Sequence, residues 1–224
     1  LFSSFIALSQ NPTVDSLINE LSIHQEKDTT RVNLLNDLAF LYYKKDIAQT
    51  IIYIEESKAI AEAIDFKRGI GKSLFIKGIT EVLKSNFDQA LIHFNESLQV
   101  YKKIDFKMGI AQCYNGMGIV SNNIGDQRKS ISYYEKSAEI YEEIGNKNVS
   151  ATFNNIGNAY SDLGEYEKAI KYLKKAMTID EDNKDNQRIA SRLNNIGIIY
   201  RKQANYPLAL EYYKRSLYIH ETYG

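Results

Sequence analysis

Few residues in this chain have the types and spacings from which chemistry is made. His24, His93 and His220 lie far apart and follow no metal-ligand spacing. Cys113 is the only cysteine, so no disulfide framework exists, and it falls in a helical pattern where a small buried residue is expected. Gly116-Met117-Gly118 hints at a phosphate-binding loop, but no strand precedes it. The acidic run Asp180 to Asp185 lacks the glycine that a calcium loop needs at its sixth place and reads as a polar helix connector. No nucleophile, base and orienting group come together, so neither catalysis nor a cofactor is expected. What does recur is asparagine. Asn115, Asn154, Asn155, Asn158, Asn194 and Asn195 return about one repeat apart, and Asn122 and Asn123, then Arg201 and Lys202, continue the same faces. A primary amide offers donors and an acceptor together, which suits the backbone of an extended peptide. Asn is a mediocre helix former, so its repetition needs a reason. The other reading is that these amides tie each repeat to the next. That reading is favoured for Asn155 and Asn195, while both stand for Asn154, Asn158 and Asn194. Arg188, Arg192, Arg201 and Lys202 would favour an acidic segment or a terminal carboxylate, or form a solvated helix face.

The elements that position these residues are written into small residues at fixed intervals. Gly78, Gly118, Gly157 and Gly197 correspond, as do Ala90, Ser130, Ala169 and Ala209, and Ser97, Ser137, Ala176 and Ser216. The linker IDFKRGI from Ile64 returns as IDFKMGI from Ile104. Small residues repeated in this way mark places where helices cross closely. A glycine inside a helix costs about 1 kcal/mol relative to alanine, which close packing can offset. Around these sites apolar residues fall at helical spacing: Phe153, Ile156, Gly157 and Tyr160, then Ile170, Leu173 and Met177. Nothing alternates with period two over a useful length. The pattern predicts helices over 14–24, 30–44, 47–64, 67–85, 87–104, 107–123, 127–144, 147–163, 166–180, 185–203 and 206–222. The segment from 30 to 64 reads as a degenerate first unit, with Thr50 and Ser57 in register with later ones. Val14 to His24 reads as a lone capping helix with Asp15 and Glu20 facing water.

The register resembles the tetratricopeptide repeat. That family places small residues at its eighth, twentieth and twenty-seventh positions and tyrosine at its eleventh. Gly157, Ala169, Ala176 and Tyr160 match, as do Gly197, Ala209, Ser216 and Tyr200. The Gly-x-Tyr turn matches at Gly164 to Tyr166, and at Ala204 to Tyr206 with alanine for glycine. Three features depart from the family: the period is near 40 rather than ~34, the usual proline after the second helix is absent, and Glu81 and Ser121 replace the tyrosine. The resemblance implies an all-α, right-handed α-solenoid of antiparallel helix pairs, with about five repeats at 30–66, 67–106, 107–146, 147–185 and 186–224. It also implies that partners bind on a concave face lined by the first helix of each pair. The ~40-residue form is similar to repeats in kinesin light chains, in bacterial quorum-peptide receptors, and most of all in the extracytoplasmic parts of bacterial sensor histidine kinases and LuxR-type regulators. In that last group a membrane helix and an output domain follow.

Composition limits the partners. Lys plus Arg is 28 and Asp plus Glu is 28, so the chain carries no basic surplus for nucleic acid or an anionic membrane. A protein or peptide partner is expected, and a homodimer is left open. No stretch in 10–224 approaches the ~18 apolar residues of a membrane span. Residues 1–9 are apolar and uncharged, with Ala7-Leu8-Ser9 placed like a cleavage site before Gln10. They read as the end of a signal peptide, which would make the mature chain periplasmic or extracytoplasmic. The alternatives are a docked helical turn on the array and a cytoplasmic protein. The closing ETYG falls where a further repeat could begin, as in a fragment of a longer protein.

Overall fold

The computed structural model describes residues 13–223, and the signal-peptide reading of residues 1–9 lies outside them. Among the described residues there are eleven helices and no strand. They are α1 (Val14–Ile23), α2 (Thr29–Tyr42), α3 (Ile47–Ala63), α4 (Lys67–Leu83), α5 (Phe87–Lys103), α6 (Lys107–Asn123), α7 (Gln127–Glu143), α8 (Val149–Asp162), α9 (Tyr166–Asp182), α10 (Asn186–Lys202) and α11 (Tyr206–Tyr223). Each helix packs mainly on the next in sequence, so α2 to α11 form five antiparallel pairs in a stack. Helix α1 covers the first pair with buried Leu17, while Asp15 and Glu20 face water.

The turns explain the regular period. Asp65, Ser85, Asp105, Gly125, Gly145, Gly164, Lys184 and Ala204 each have positive φ. One residue later the backbone N–H bonds back five residues to the preceding helix, as in Glu165 to Tyr160 O (2.9 Å) and Asn205 to Tyr200 O (2.9 Å). Glycine at Gly164 relieves a strain that Ala204 carries in the same conformation. Aspartates begin several helices: the Oδ1 atoms of Asp28, Asp46, Asp126 and Asp185 accept from the N–H three residues on.

The small residues lie at the closest helix crossings. A Cβ added at Gly78, Gly118, Gly157 or Gly197 would come within 2.8 Å of Phe94, Tyr134, Leu173 or Tyr213, always sixteen residues later. The repeated serines have a second task. Ser57, Ser97, Ser137 and Ser216 donate to Val32 O, Gly71 O, Ala111 O and Ala190 O of the partner helix, at 2.7–3.2 Å. In the fourth pair the arrangement is exchanged: Ala176 replaces the serine, and Ser150 on α8 donates to Ala176 O at 3.3 Å. Cys113 is buried and donates to Ser97 Oγ at 3.3 Å; burial pushes its thiol up to about 12, so it stays protonated and unreactive at neutral pH.

Four helix ends differ from expectation by two residues: α2 and α4 stop short, at Tyr42 and Leu83, and those of α8 and α9 differ for visible reasons. Helix α8 starts at Val149 rather than 147, because Asn146 Oδ1 accepts from Asn148 N at 2.8 Å and holds the connector in a tight turn. Helix α9 runs on to Asp182, and Asp180 is not part of a solvated connector. It is 1% exposed and paired with Arg192, whose Nε donates to Asp180 Oδ2 at 3.0 Å. Ser150 Oγ bonds Asp180 Oδ1, and Arg192 Nη2 donates to Ser150 Oγ at 3.4 Å. Arg192 is therefore buried between α9 and α10 and does not belong to a basic outer face. Burial draws its pKa below the ordinary arginine value, and Asp180 opposes that shift.

The tyrosine position meets an aromatic ring across the pair in three of the repeats. Tyr42 meets Tyr53, Tyr160 stacks on Tyr172 and Tyr200 packs on Tyr212, with centroids 5.3–5.7 Å apart. Where Glu81 stands, its carboxylate accepts instead from Lys84 Nζ at 3.0 Å and Asn86 Nδ2 at 2.7 Å. Where Ser121 stands, Tyr133 turns to stack on Tyr114 at 6.3 Å instead.

Candidate peptide-binding face

First helices of successive pairs touch one another: α2 on α4, α4 on α6, and α8 on α10. No second helix packs comparably on the second helix of the next pair. The first helices therefore lie on the inside of the curve, and their free side is the concave face.

The asparagines divide into two groups on that face. Asn155 Nδ2 donates to Asn115 Oδ1 at 3.4 Å, and Asn195 Nδ2 donates to Asn154 Oδ1 at 2.8 Å. These four join α6 to α8 and α8 to α10 as rungs. Asn36 adds an earlier rung: it is buried, donates to Gly69 O at 3.3 Å and accepts from Ser73 Oγ at 3.0 Å. Asn158 and Asn194 are exposed, and their side chains bond to nothing among the described residues. Of the basic residues, Lys202 reaches Ser161 Oγ and Asp162 Oδ1, each at 3.1 Å, and so ties α10 to α8. Arg188 pairs with Asp185 at 3.1 Å. Arg201 is exposed and forms no ion pair among the described residues.

Reading across the repeats shows columns of inner residues. One runs Phe40, Ile79, Ile119, Asn158, Ile198; a second runs Asn36, Phe75, Asn115, Asn154, Asn194; a third runs Tyr43, Val82, Asn122, Ser161, Arg201. The N-terminal half of the face is thus aromatic and aliphatic, and most of the C-terminal half is polar. A groove of about 340 Å³ opens mainly in the first half, between Phe40, Phe75, Ile79, Val82 and Ile119, and Gln112, Asn115 and, on α8, Thr152 also line it. A second concavity of about 350 Å³ lies in the other half, between Asn122, Asn158, Ser161, Asp162 and Lys202. Sequence reasoning missed the aromatic half, because Phe75, Ile79 and Val82 at i, i+4 and i+7 look like a core stripe. Aligning the inner columns repeat by repeat is the signal that reveals it.

Family comparison now has a geometry to meet. The tetratricopeptide repeat family model matches residues 77–143, 109–182 and 148–222, together well over half of the chain. The chain belongs to the tetratricopeptide repeat family. No curated protein matches the sequence. The fold is shared with BtubC (BKLC) from P. vanneervenii at TM-score 0.79 and 15% identity, over 93% of this chain and 89% of that one. A Rap protein complexed with competence and sporulation factor aligns at TM-score 0.74 and 16% identity, over 93% and 70%. A signal transduction ATPase with a tetratricopeptide repeat sensor from Pyrococcus horikoshii aligns at TM-score 0.72 and 19% identity, over 94% and 36%. At these identities the likeness is one of fold. No described helix of this tetratricopeptide repeat protein is long and apolar enough to cross a membrane.

Proposed function

We propose that this chain is a protein- or peptide-binding scaffold, with its ligand lying along the concave face of α2, α4, α6, α8 and α10. The observation that carries this reading is the state of the inner amides. Some are spent on rungs between repeats, while Asn158 and Asn194 stand exposed with all their hydrogen-bonding capacity free. A helix-stacking role would leave no reason for those two. An extended backbone passing over them would use both donor and acceptor. The Rap neighbour, solved in complex with competence and sporulation factor, supports this reading. No group of catalytic residues enters the reading.

The test uses dodecapeptides selected from a displayed random library on the immobilised chain. Asn158→Ala with Asn194→Ala weakens the selected peptides about ten-fold or more, at roughly 1 kcal/mol per lost hydrogen bond, and leaves the helical signal and melt unchanged. Unchanged affinity alongside a lowered melting temperature would make these amides structural.

We further propose that the chain is the extracytoplasmic sensing region of a bacterial signal-transduction protein. The support is the Ala7-Leu8-Ser9 segment, the likeness of the repeats to those of sensor kinases, and a neighbour whose repeats are a sensor. Export predicts that sequencing the N-terminus of the protein from its native cell finds a start at Gln10. A start upstream of Leu1 would instead leave a cytoplasmic adaptor.

A further inference from the structure

We propose that the ligand is a peptide with an aromatic or branched aliphatic anchor, read by the groove of Phe40, Phe75, Ile79, Val82 and Ile119, while its polar continuation lies over Asn122, Asn158 and Lys202. This deepens the reading given above and rests on it.

Three observations carry the assignment. First, none of the residues lining the apolar groove is charged, although charged residues make up 25% of the chain. A charged side chain placed there would lose water and gain no partner. Phe40 is 45% exposed at the rim and stacks on Tyr43 with centroids 5.5 Å apart, which leaves a flat aromatic wall uncovered. About 340 Å³ accommodates one or two large apolar side chains. The amides of Gln112 and Asn115 can orient the main chain that delivers them.

Second, the two concavities are neighbours on the same face. Ile119 in the first and Asn122 in the second are one helical turn apart on α6, and α8 walls both. An extended ligand that follows the inner face of α6 and α8 passes over both.

Third, the second concavity is polar and holds an unspent amide: Asn158 lines it, is exposed, and its side chain bonds to nothing among the described residues. An extended main chain can meet both its donor and its acceptor. Lys202 and Asp162, 3.1 Å apart, give this half charges of both signs, so it suits a polar main chain more than a run of one charge. Polarity along the face therefore fixes direction: apolar anchor toward α2 and α4, polar segment toward α8 and α10.

Selection of displayed dodecapeptides on the chain tests the assignment. Enriched peptides share an aromatic, leucine or isoleucine residue, and replacing it by serine weakens binding roughly ten- to a hundred-fold. Ile79→Ser and Phe40→Ser each weaken the same peptides ten-fold or more. Phe40 is already half exposed, so that variant keeps its fold and remains informative if Ile79→Ser melts. Peptides without an apolar anchor, sensitive to Asn158→Ala but not to Phe40→Ser, would overturn this assignment and leave the scaffold reading intact. Peptides indifferent to every concave-face substitution, or no enrichment at all, would overturn both.

Discussion

Ala169→Asp unfolds the last two helix pairs. Ala169 is fully buried, in a cluster with Leu173, Ile196 and Ile199. It sits where α8 and α9 approach most closely, since a Cβ on Gly157 would meet Ala169 O at 3.1 Å and Leu173 Cγ at 2.8 Å. A carboxylate there has no water and no cation. The cost of such burial is on the order of several kcal/mol, comparable with the whole stability of a domain. In a stack, stability is the sum of each repeat and its neighbour contacts, so loss at this crossing removes α8 to α11 and spares the earlier pairs. Urea unfolding followed by circular dichroism reads this as a large early loss of helix before the main transition. Ala169→Ser is the control, because Ser130 already occupies the equivalent place one repeat earlier. It costs about 1–2 kcal/mol. An Ala169→Asp melt that overlays the parent would refute the packing register.

Asp180→Ala is the second large effect, about 3–5 kcal/mol, because it strands the buried Arg192 guanidinium. Its partners are few: Asp180 Oδ2 at 3.0 Å and Ser150 Oγ at 3.4 Å. The same place in other seams is free of charge. Tyr141 and Thr152 hold the corresponding places at the seam between the third and fourth pairs, and Tyr101 and Cys113 at the one before it, all buried. Asp180→Tyr with Arg192→Thr copies the Tyr141 and Thr152 arrangement and stays within about 1–2 kcal/mol of the parent, or gains stability. Urea midpoints of the parent, the single and the double variant separate the cases. A single variant as stable as the parent would mean that the ion pair does not hold this seam.

Those two sites show what a sequence can and cannot disclose. Ala169, Gly157 and the repeated serines were legible because sterics at a helix crossing admit only small side chains, and that requirement recurs with the period. The Asp180–Arg192 pair was not. Asp180 sits in a run of charges that reads as solvated, and Arg192 follows Arg188 on one helix. Only the three-dimensional seam shows that both side chains point inward. The asparagine rungs have the same character. Asn195 bonds Asn154, the equivalent of Asn194, rather than its own equivalent Asn155, a choice made by the offset of one helix on the next. Phe75, Ile79 and Val82 looked like core because periodicity reports an apolar stripe without saying what covers it. Among the described residues no helix covers this stripe fully, and a groove is the result.

The most direct test of the concave-face account is photocrosslinking with a peptide from the displayed-library selection. A benzophenone amino acid is placed at Asn158, on the inner column, or at Lys171, exposed on α9, the second helix of the same pair. The account predicts that the peptide crosslinks from position 158 and not from position 171. Crosslinking from position 171 with none from position 158 would place the ligand on the outer surface and contradict it.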